Sequence, residues 1–314
     1  MEQIELGGSG IKVSQVGLGM WQAGGPEWGE DVNDDDCVAA MVRAHELGVN
    51  LIDTAEVYGD GHSEEVVGRA IKEIGRDEVV IATKVSGGHL RYGDVQKACE
   101  RSLKRLGVDV IDLYQIHWPD PWQQVPLEET MKAMEKLHKQ GKIRAVAVSN
   151  FAVRDMVEAR EALSDTDIVS NQVQYNMLHR EIEKQVLPFC QKEGIAIIAW
   201  GPLAEGSLTG KYGEEHRPQD PLRKDHRFFT DKNMKTISGL LSVLEAVGKS
   251  HGKTTSQVAL NWLLSKENVI PIPGAKRPSH MESNVGAAGW SLSPDEMSRV
   301  EAAVDAVRID PFRT

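Results

Sequence analysis

The sequence contains few of the features that mark secreted, membrane-spanning or zinc-binding proteins. Its three cysteines, Cys37, Cys99 and Cys190, are far apart and form no C-x-x-C spacing, which argues against a disulfide framework and a zinc site. No run of about 18 apolar residues occurs. The opening stretch MEQIELGGSGIKVSQVGLG has no basic patch followed by an apolar core. We therefore expect a cytoplasmic protein without a membrane partner.

The chain also has fewer basic than acidic residues. The chain has 36 Lys and Arg residues against 47 Asp and Glu, which gives a net charge of −11. This excess of negative charge disfavours nucleic acid and anionic membranes as general partners. With 40% hydrophobic and 26% charged residues, the composition is that of an ordinary globular protein with a sizeable core. A small molecule is the expected partner.

A glycine-rich dinucleotide fingerprint is absent as well. G-x-G-x-x-G follows none of the candidate strands, which argues against a doubly wound open sheet, the main alternative fold. Runs rich in β-branched residues predict eight strands, at Val16–Leu18, Val49–Ile52, Val79–Thr83, Val110–Ile116, Ile143–Val148, Ile168–Gln174, Ile195–Ala199 and Val269–Ile272. Apolar positions three and four apart predict helices between them, at about 33–48, 63–75, 94–107, 127–141, 151–162, 180–193, 255–267 and 279–286.

This alternation of strands and helices runs through the chain without a linker rich in Pro, Gly or Ser. It predicts an α/β fold in which residues 1–314 form a single (β/α)8 TIM barrel domain. The opening IELGGSGIKVSQVGLG predicts a β-hairpin plug that turns at residues 7–10. Two extra helices, at about 232–251 and 294–306, fall outside the eightfold repeat. Asn33, Ser63 and Thr255 are the predicted helix-start residues.

Polar residues recur where the predicted strands end, which is where catalytic groups lie in such barrels. The strand ends carry Asp53, Lys84, His117, Ser149, Asn150, Gln172, Trp200 and residues 273–277. Each has an ordinary explanation when taken alone, since Asp caps turns, Lys is solvated at strand ends and His packs with a hydrogen bond. Closure of a barrel, however, brings the ends of neighbouring strands together. We therefore expect Asp53, Lys84 and His117 to converge.

Tyr58, five residues after Asp53, completes a set of proton-transfer groups. The reference pKa of tyrosine is about 10, and an adjacent ammonium lowers it by stabilising the phenolate. We predict that Lys84 lowers the pKa of Tyr58 and pairs with Asp53. His117 would hydrogen-bond a substrate oxygen. A metal-dependent hydrolase is an alternative class for a barrel, but it needs clustered His, Asp and Glu at the strand ends, and only His117 qualifies, so we predict no metal site.

Eight blocks of the sequence resemble the aldo-keto reductase family and occur in that family's order. They are GLGMWQAGG, NLIDTAEVYGDGHSEEVVGRAI, IATK, LKRLGVDVIDLYQIHWPD, IRAVAVSNF, NQVQYN, AWGPLAEGSLTGKY and IPGAKRPSHMESN. In the family, the residues matching Asp53, Tyr58, Lys84 and His117 form a catalytic tetrad. The resemblance implies an oxidoreductase that transfers a hydride between NADP(H) and an aldehyde or ketone, or the corresponding alcohol or sugar. Tyr58 would be its general acid and base.

The resemblance also implies a cofactor that lies across the barrel mouth. Ser149, Asn150 and Gln172 would contact the nicotinamide carboxamide, which suits side chains that both donate and accept. Trp200, where many relatives have tyrosine, would stack on the nicotinamide ring. The full set of expected cofactor-binding residues is Trp21, Ser149, Asn150, Gln172, Trp200, Gly201, Pro202, Leu203, Gly206, Leu208, Gly210, Lys211, Arg227, Gly274, Ala275, Lys276, Arg277, His280, Ser283 and Asn284.

The choice between NADP(H) and NAD(H) depends on the stretch GAKRPSHMESN. Lys276 and Arg277 suit an adenosine 2′-phosphate and favour NADP(H), whereas His280 replaces an arginine of many NADPH-preferring relatives, so NAD(H) remains an alternative. Backbone amides of residues 201–212 would approach the pyrophosphate, with Lys211 as the counter-charge. Arg223 or Arg227, in the long charged loop after them, would also reach the cofactor.

Aromatic residues in the loops on the same side predict the substrate class. Trp28, Tyr92 and Trp118 are the expected substrate-binding residues, with Trp21 and Trp122 nearby. Such walls suit a small carbonyl compound or sugar. An alternative function on the same scaffold is a nucleotide-binding regulatory or sensor protein with little turnover, as in the related potassium-channel β subunits.

Overall fold

The computed structural model of the chain describes residues 1–213 and 215–310. Two short antiparallel strands, β1 (Gln3–Glu5) and β2 (Lys12–Ser14), come first. Eight parallel strands follow: β3 (Leu18–Gly19), β4 (Leu51–Asp53), β5 (Val80–Val85), β6 (Ile111–Ile116), β7 (Ile143–Ser149), β8 (Ile168–Gln174), β9 (Ala196–Trp200) and β10 (Val269–Pro271). Each pairs with the next along the chain. Gly19 also forms a parallel bridge with Gly274 beyond β10, which closes the barrel and confirms the predicted fold.

Helices follow the barrel strands, as the sequence pattern predicts. In the described part of the chain they are α1 (Asp34–Glu46), α2 (His62–Ile74), α3 (Tyr92–Leu106), α4 (Leu127–Lys139), α5 (Val153–Glu161), α6 (Val186–Glu193), α7 (Asp231–His251), α8 (Thr255–Leu264), α9 (Pro278–Val285) and α10 (Pro294–Ala306). The predicted extra helices are α7 and α10, which pack against each other. Every helix among these residues is too short or too polar to cross a lipid bilayer.

One predicted helix, at 180–193, is interrupted. A 3-10 helix at Glu181–Lys184 is separated by Gln185 from α6, which begins at Val186. Pro188 is the third residue of α6. A proline has no backbone N–H to donate, so it is tolerated in the first turn of a helix but not in its interior. A continuous helix would have placed Pro188 in its interior, and the break at Gln185 avoids this.

Two of the three predicted helix-start signals lie at or next to true caps. The side chain of Asn33 accepts a hydrogen bond from the backbone N–H of Asp36 at 2.8 Å and caps α1. The cap of α8 is Thr254, one residue before the predicted Thr255, and it forms a reciprocal capping box with Gln257.

The third predicted start signal, Ser63, is wrong. Helix α2 begins at His62, after Gly61 in a left-handed conformation. Ser63 is fully buried, and its hydroxyl donates to the backbone oxygen of Met20 at 2.7 Å. The serine therefore ties α2 to the loop after β3 instead of capping its own helix.

The N-terminal hairpin closes one end of the barrel, as predicted. Gly7 makes the turn at φ +48°, and a Cβ there would lie 2.0 Å from the backbone oxygen of Val169, so only glycine fits. Apolar residues of the hairpin pack against inward-facing residues of the strands. We call this layer the floor; it comprises Leu6, Ile11, Val13, Leu51, Val80, Ala82, Leu113, Ala145, Ala147, Val169, Ala196, Ile198, Ile270 and Ile272.

Candidate active site

At the opposite end, which we call the mouth, the C-terminal ends of the strands and the loops after them surround a cavity of about 600 Å³. Asp53 is the last residue of β4, Lys84 lies near the end of β5, and His117 follows β6. Tyr58 lies in the loop between β4 and α2. Closure of the barrel brings these four residues together, and Asp53, Tyr58 and His117 line the cavity.

A fully buried ion pair supports the tyrosine. The ammonium of Lys84 donates to Asp53 Oδ1 at 2.6 Å and to the backbone oxygen of Thr54 at 2.9 Å. It also lies 3.3 Å from the hydroxyl oxygen of Tyr58. Lys84 has no exposed surface, so its charge acts on these neighbours with little screening by water.

The pKa values in this group differ from one prediction. Burial by itself lowers the pKa of Lys84, but the charges and hydrogen bonds of Asp53 and Tyr58 together outweigh it, so the net effect raises that pKa. Burial also raises the pKa of Tyr58 above its ordinary value of 10.0, against the opposing charge of Lys84. The prediction that Lys84 lowers the pKa of Tyr58 below its usual value is therefore wrong as a net effect, because taking a phenolate out of water costs more than this ammonium compensates. Tyr58 carries its proton at neutral pH.

His117 is neutral. Burial and the charge of Lys84 lower the pKa of His117 to about 3. Its ring meets the ring of Tyr58 edge-on, with 5.7 Å between the centroids. A neutral imidazole at this position has one N–H to donate to an oxygen atom placed beside the Tyr58 hydroxyl.

Two amides hold the second oxygen of Asp53. Gln172 donates to Asp53 Oδ2 at 2.7 Å, and Gln115 donates to the same atom at 3.0 Å. Gln172 lines the cavity as expected, but its amide nitrogen points to Asp53. Sequence reasoning missed Gln115. The residue lies on β6 two positions before His117, and side chains two positions apart on a strand point to the same side.

Ser149, Asn150 and Trp200 line the same wall of the cavity. The indole N–H of Trp200 donates to Asn150 Oδ1 at 3.1 Å. Asn150 adopts a left-handed conformation at φ +62°, which asparagine tolerates, and its amide donates to the backbone oxygen of His117 at 3.0 Å. Asn150 thus fixes the plane of the Trp200 ring relative to the proton-transfer group.

The predicted pyrophosphate loop contains a 3-10 helix at Ala204–Thr209, kinked at Glu205 and Gly206. Of the expected residues in this segment, Gly201, Pro202, Leu203, Gly206 and Lys211 line the cavity, whereas Leu208 is buried in the core and Gly210 lies away from the lining.

Glu205 is a cavity residue that sequence reasoning missed. Burial raises the pKa of Glu205 to about 7, against the opposing charges of Arg227 and Arg223. Its Oε2 is buried without a hydrogen-bond partner. No sequence signal identifies it, because the left-handed backbone of Glu205, at φ +53°, and the burial of its side chain are properties of the tertiary structure.

The segment after β10 forms another side of the cavity. The residues of this segment that line the cavity are Gly274, Lys276, His280, Ser283 and Asn284. The predicted cofactor residues Ala275 and Arg277 lie outside the lining. Arg277 instead pairs with Asp31 at 2.6 Å. Burial lowers the pKa of His280, and the charges of Arg277 and Lys276 add to this effect, so His280 is uncharged at neutral pH.

Aromatic rings form the remaining wall. Trp21 stacks on Tyr58 with 6.0 Å between centroids, and its edge contacts Trp28, which is buried. Trp118 is half exposed at the rim. Tyr92 does not line the cavity, since it is the first residue of α3 and not part of a loop.

The charged loop contributes one of the two arginines considered for it. Arg223 lines the cavity and lies over the ring of Trp28 at 5.6 Å, whereas Arg227 is outside the lining. Trp122 is 79% exposed and also lies outside it. Further lining residues that sequence reasoning missed are Gly19, Gln22, Val57, Ser256 and Ile272, whereas Thr209 and Tyr212 fall within the predicted segment 201–212. Among the described residues, no group of three or more His, Cys, Asp or Glu side chains is arranged to hold a metal ion.

Comparisons with known proteins agree with this geometry. The Aldo/keto reductase family model matches residues 15–305. The aldo-keto reductase YhdN of Bacillus subtilis (strain 168) is 36% identical over 323 residues, covering 99% of this chain and 96% of its own. The NADH-specific methylglyoxal reductase of Escherichia coli (strain K12) is 32% identical over 328 residues, covering 98% of this chain and 99% of its own.

Solved structures give the same result. The crystal structure of an aldo-keto reductase from Klebsiella pneumoniae in complex with NADPH superposes with a TM-score of 0.78 at 31% identity, covering 100% of this chain and 98% of that one. Fold, sequence and the arrangement of the mouth therefore agree, and the chain belongs to the Aldo/keto reductase family.

Proposed function

We propose that this protein reduces a small aldehyde or ketone with NADP(H), and that Tyr58 donates the proton to the carbonyl oxygen. The observation that carries the proposal is the contact of the Tyr58 hydroxyl with a buried ammonium, 3.3 Å away, which is itself held by Asp53. In the reverse direction the same residues would support oxidation of an alcohol or sugar. Residues 1–314 act as one catalytic domain in this proposal.

The cavity residues fit a nicotinamide dinucleotide. A volume of about 600 Å³ lies within the usual range for a cofactor site. Trp200 presents an aromatic face, and Gly206, at φ +95°, lets the backbone approach a phosphate closely. The buried Oε1 of Gln22 has no hydrogen-bond partner, so it is available to a ligand. When bound, the dinucleotide supplies a hydride from C4 of its reduced ring to the carbonyl carbon.

Tyr58 is suited to give up its proton only as the reaction proceeds. The raised pKa of Tyr58 keeps the phenol protonated before the reaction. As negative charge develops on the substrate oxygen, the proton moves to it, and the phenolate that remains is stabilised by the Lys84 ammonium. Asp53 keeps Lys84 charged and in place. Neutral His117 donates a second hydrogen bond to the same oxygen and orients the substrate.

The proposed preference for NADP(H) rests on Lys276 and Arg277. Two adjacent cations suit a 2′-phosphate, and the Klebsiella relative was solved with NADPH. The Escherichia relative is NADH-specific, which fits the uncharged His280 and supports some use of NAD(H). The aromatic wall of Trp21, Trp28 and Trp118 favours a small carbonyl or sugar substrate. We also propose a cytoplasmic location, because all three cysteines are free and buried.

Tyr58→Phe tests the function. The variant should bind NADPH with an unchanged dissociation constant, measured by quenching of tryptophan fluorescence. Its turnover of a panel of aldehydes, ketones and sugars should fall at least about 100-fold, as expected when a positioned general acid is lost. Tyr92→Phe, the same substitution at an exposed tyrosine outside the cavity lining, serves as the control.

Two outcomes would contradict the proposal. Near-normal turnover by Tyr58→Phe would show that another group supplies the proton. The wild-type protein could instead bind NADPH tightly but turn over no substrate of the panel, whether NADPH or NADH is supplied. That result would favour the regulatory or sensor function.

A further inference from the structure

The two cations proposed to hold the 2′-phosphate already have a carboxylate between them. Asp31 Oδ1 lies 3.2 Å from the Lys276 ammonium, and Asp31 Oδ2 accepts a hydrogen bond from Arg277 at 2.6 Å. Asp31 belongs to the loop between β3 and α1, which lies 245 residues before Lys276 in the chain. One acid on a distant loop therefore engages both cations.

The loop that carries Asp31 is shaped for this contact. The Lys276 ammonium also donates to the backbone oxygen of Trp28, and the Lys276 side chain is only 12% exposed. Gly29, at φ +120°, turns the chain between Trp28 and Asp31, and a Cβ there would lie 2.7 Å from Asp31 Oδ1. A side chain at position 29 would displace the carboxylate, so the glycine keeps Asp31 on the cations.

Asp31 is charged at neutral pH. Partial burial raises the pKa of Asp31, but the hydrogen bond and charge of Lys276, together with the charge of Arg277, outweigh it and lower that pKa. The charged or titratable groups that act on Asp31 or respond to it are Lys276, Arg277 and His280, all in the segment after β10. A carboxylate thus occupies the donors that a phosphate would use.

This arrangement treats the two dinucleotides differently. A 2′-phosphate must displace Asp31 from Lys276 and Arg277 or accept its repulsion at close range. A ribose 2′-hydroxyl carries no charge and can donate a hydrogen bond to a carboxylate in the same place. His280, being uncharged, adds no third cation to offset the penalty for the phosphate.

We propose that Asp31 is a specificity-determining residue, which lowers the preference for NADPH over NADH by acting as an internal counter-ion for Lys276 and Arg277. The inference rests on the proposed function, since it requires that the cavity bind a nicotinamide dinucleotide. It does not involve the chemical step, so binding measurements alone can test it.

The experiment compares dissociation constants for NADPH and NADH in the wild type and in Asp31→Asn, by quenching of tryptophan fluorescence at fixed ionic strength. The variant should bind NADPH about three- to fivefold more tightly, in the range expected for exposed ion pairs, while NADH binding stays equal or weakens. The gain should shrink as salt is added, because the charges are partly exposed. Asp35→Asn is the matched control: it makes the same change in net charge at an acid whose side chain is 89% exposed and pairs with Arg69.

Each other outcome rejects the inference in a recognisable way. An unchanged ratio of the two dissociation constants would overturn this inference and leave the proposed function intact. Weaker NADPH binding by Asp31→Asn would do the same, because it would mean that Asp31 orders the cations for the phosphate. An equal gain in Asp35→Asn would reduce the effect to net charge and overturn it too. Failure of the wild type to bind either nucleotide would overturn the proposed function together with it.

Discussion

The floor and the mouth of the barrel are built from the same inward-facing rows of side chains, yet they have opposite character. On β4, Leu51 lies in the floor and Asp53, two residues later, lies at the mouth. On β6 the same step leads from Leu113 to Gln115. Residues two apart on a strand point to the same side, so one strand face changes from apolar to polar along its length.

The difference shows how the barrel separates stability from chemistry. The floor buries apolar side chains against the hairpin, which stabilises the fold. The mouth buries an ammonium and a carboxylate, an arrangement whose desolvation cost can exceed its Coulombic gain. We infer that the floor supplies the stability that the mouth does not, and that substitutions at the two ends change different measurable quantities.

The largest effect is expected for Lys84→Met at the mouth. Removing the ammonium leaves the phenolate of Tyr58 without its stabilising charge, so turnover should fall about 100- to 10,000-fold. Asp53 loses its buried partner, which costs about 3–5 kcal/mol of unfolding free energy. Steady-state kinetics and urea unfolding measure the two effects. Lys136→Met on the exposed side of α4 is the control, and a Lys84→Met enzyme with normal turnover would remove Lys84 from the mechanism.

The next effect is expected for Leu113→Ala in the floor. Leu113 is fully buried beside the hairpin, so its truncation should cost about 2–5 kcal/mol of unfolding free energy. Turnover per folded molecule should stay unchanged, since the cavity lies at the other end of the strand. Urea unfolding and turnover normalised to the folded fraction test this. Loss of turnover in the folded variant would show that the two ends are coupled.

Glu205→Gln should change the pH dependence of stability. The pKa of Glu205 rises from 4.5 to about 7 on folding, so the folded state binds more protons than the unfolded state between those values. The wild type should therefore lose stability as pH rises through this window. Compared with wild type, Glu205→Gln should gain about 1–3 kcal/mol above pH 7 and nothing below pH 4.5. Urea unfolding at pH 5 and pH 8 measures this, with Glu158→Gln as an exposed control that should show no such difference.

Among the changes at the proton-transfer group, the smaller effect is expected for Gln115→Met, the mouth counterpart of Leu113 on the same face of β6. The change keeps the volume but removes one hydrogen bond to Asp53 Oδ2, which is worth roughly 1.5–3 kcal/mol when the acceptor is charged. Because Gln172 and Lys84 still hold the carboxylate, we expect turnover to fall only about tenfold, with NADPH binding intact. An effect as large as that of Lys84→Met would mean that Gln115 has a more direct role.

Much of the fold and part of the site follow from the sequence. Strand and helix periodicity predicted the barrel, the hairpin plug and both extra helices, because such patterns are local. The rule that functional groups follow barrel strands placed Asp53, Lys84 and His117 together. Local signals were less reliable at element ends. Ser63 resembles a cap but is used in a tertiary hydrogen bond, and Tyr92 resembles a loop residue but begins α3.

The sequence by itself determined the order of elements and the residue that ends each strand, since spacing along the chain specifies which side chains share a face. Only the tertiary structure decided the direction of the pKa shift of Tyr58, the amides on Asp53 and the carboxylate between Lys276 and Arg277. These features depend on burial and on contacts between distant residues: Gln172 lies 119 positions from Asp53, and Arg277 lies 246 from Asp31. Electrostatic energies depend on distance through space and on exclusion of water, and neither quantity is encoded in local periodicity.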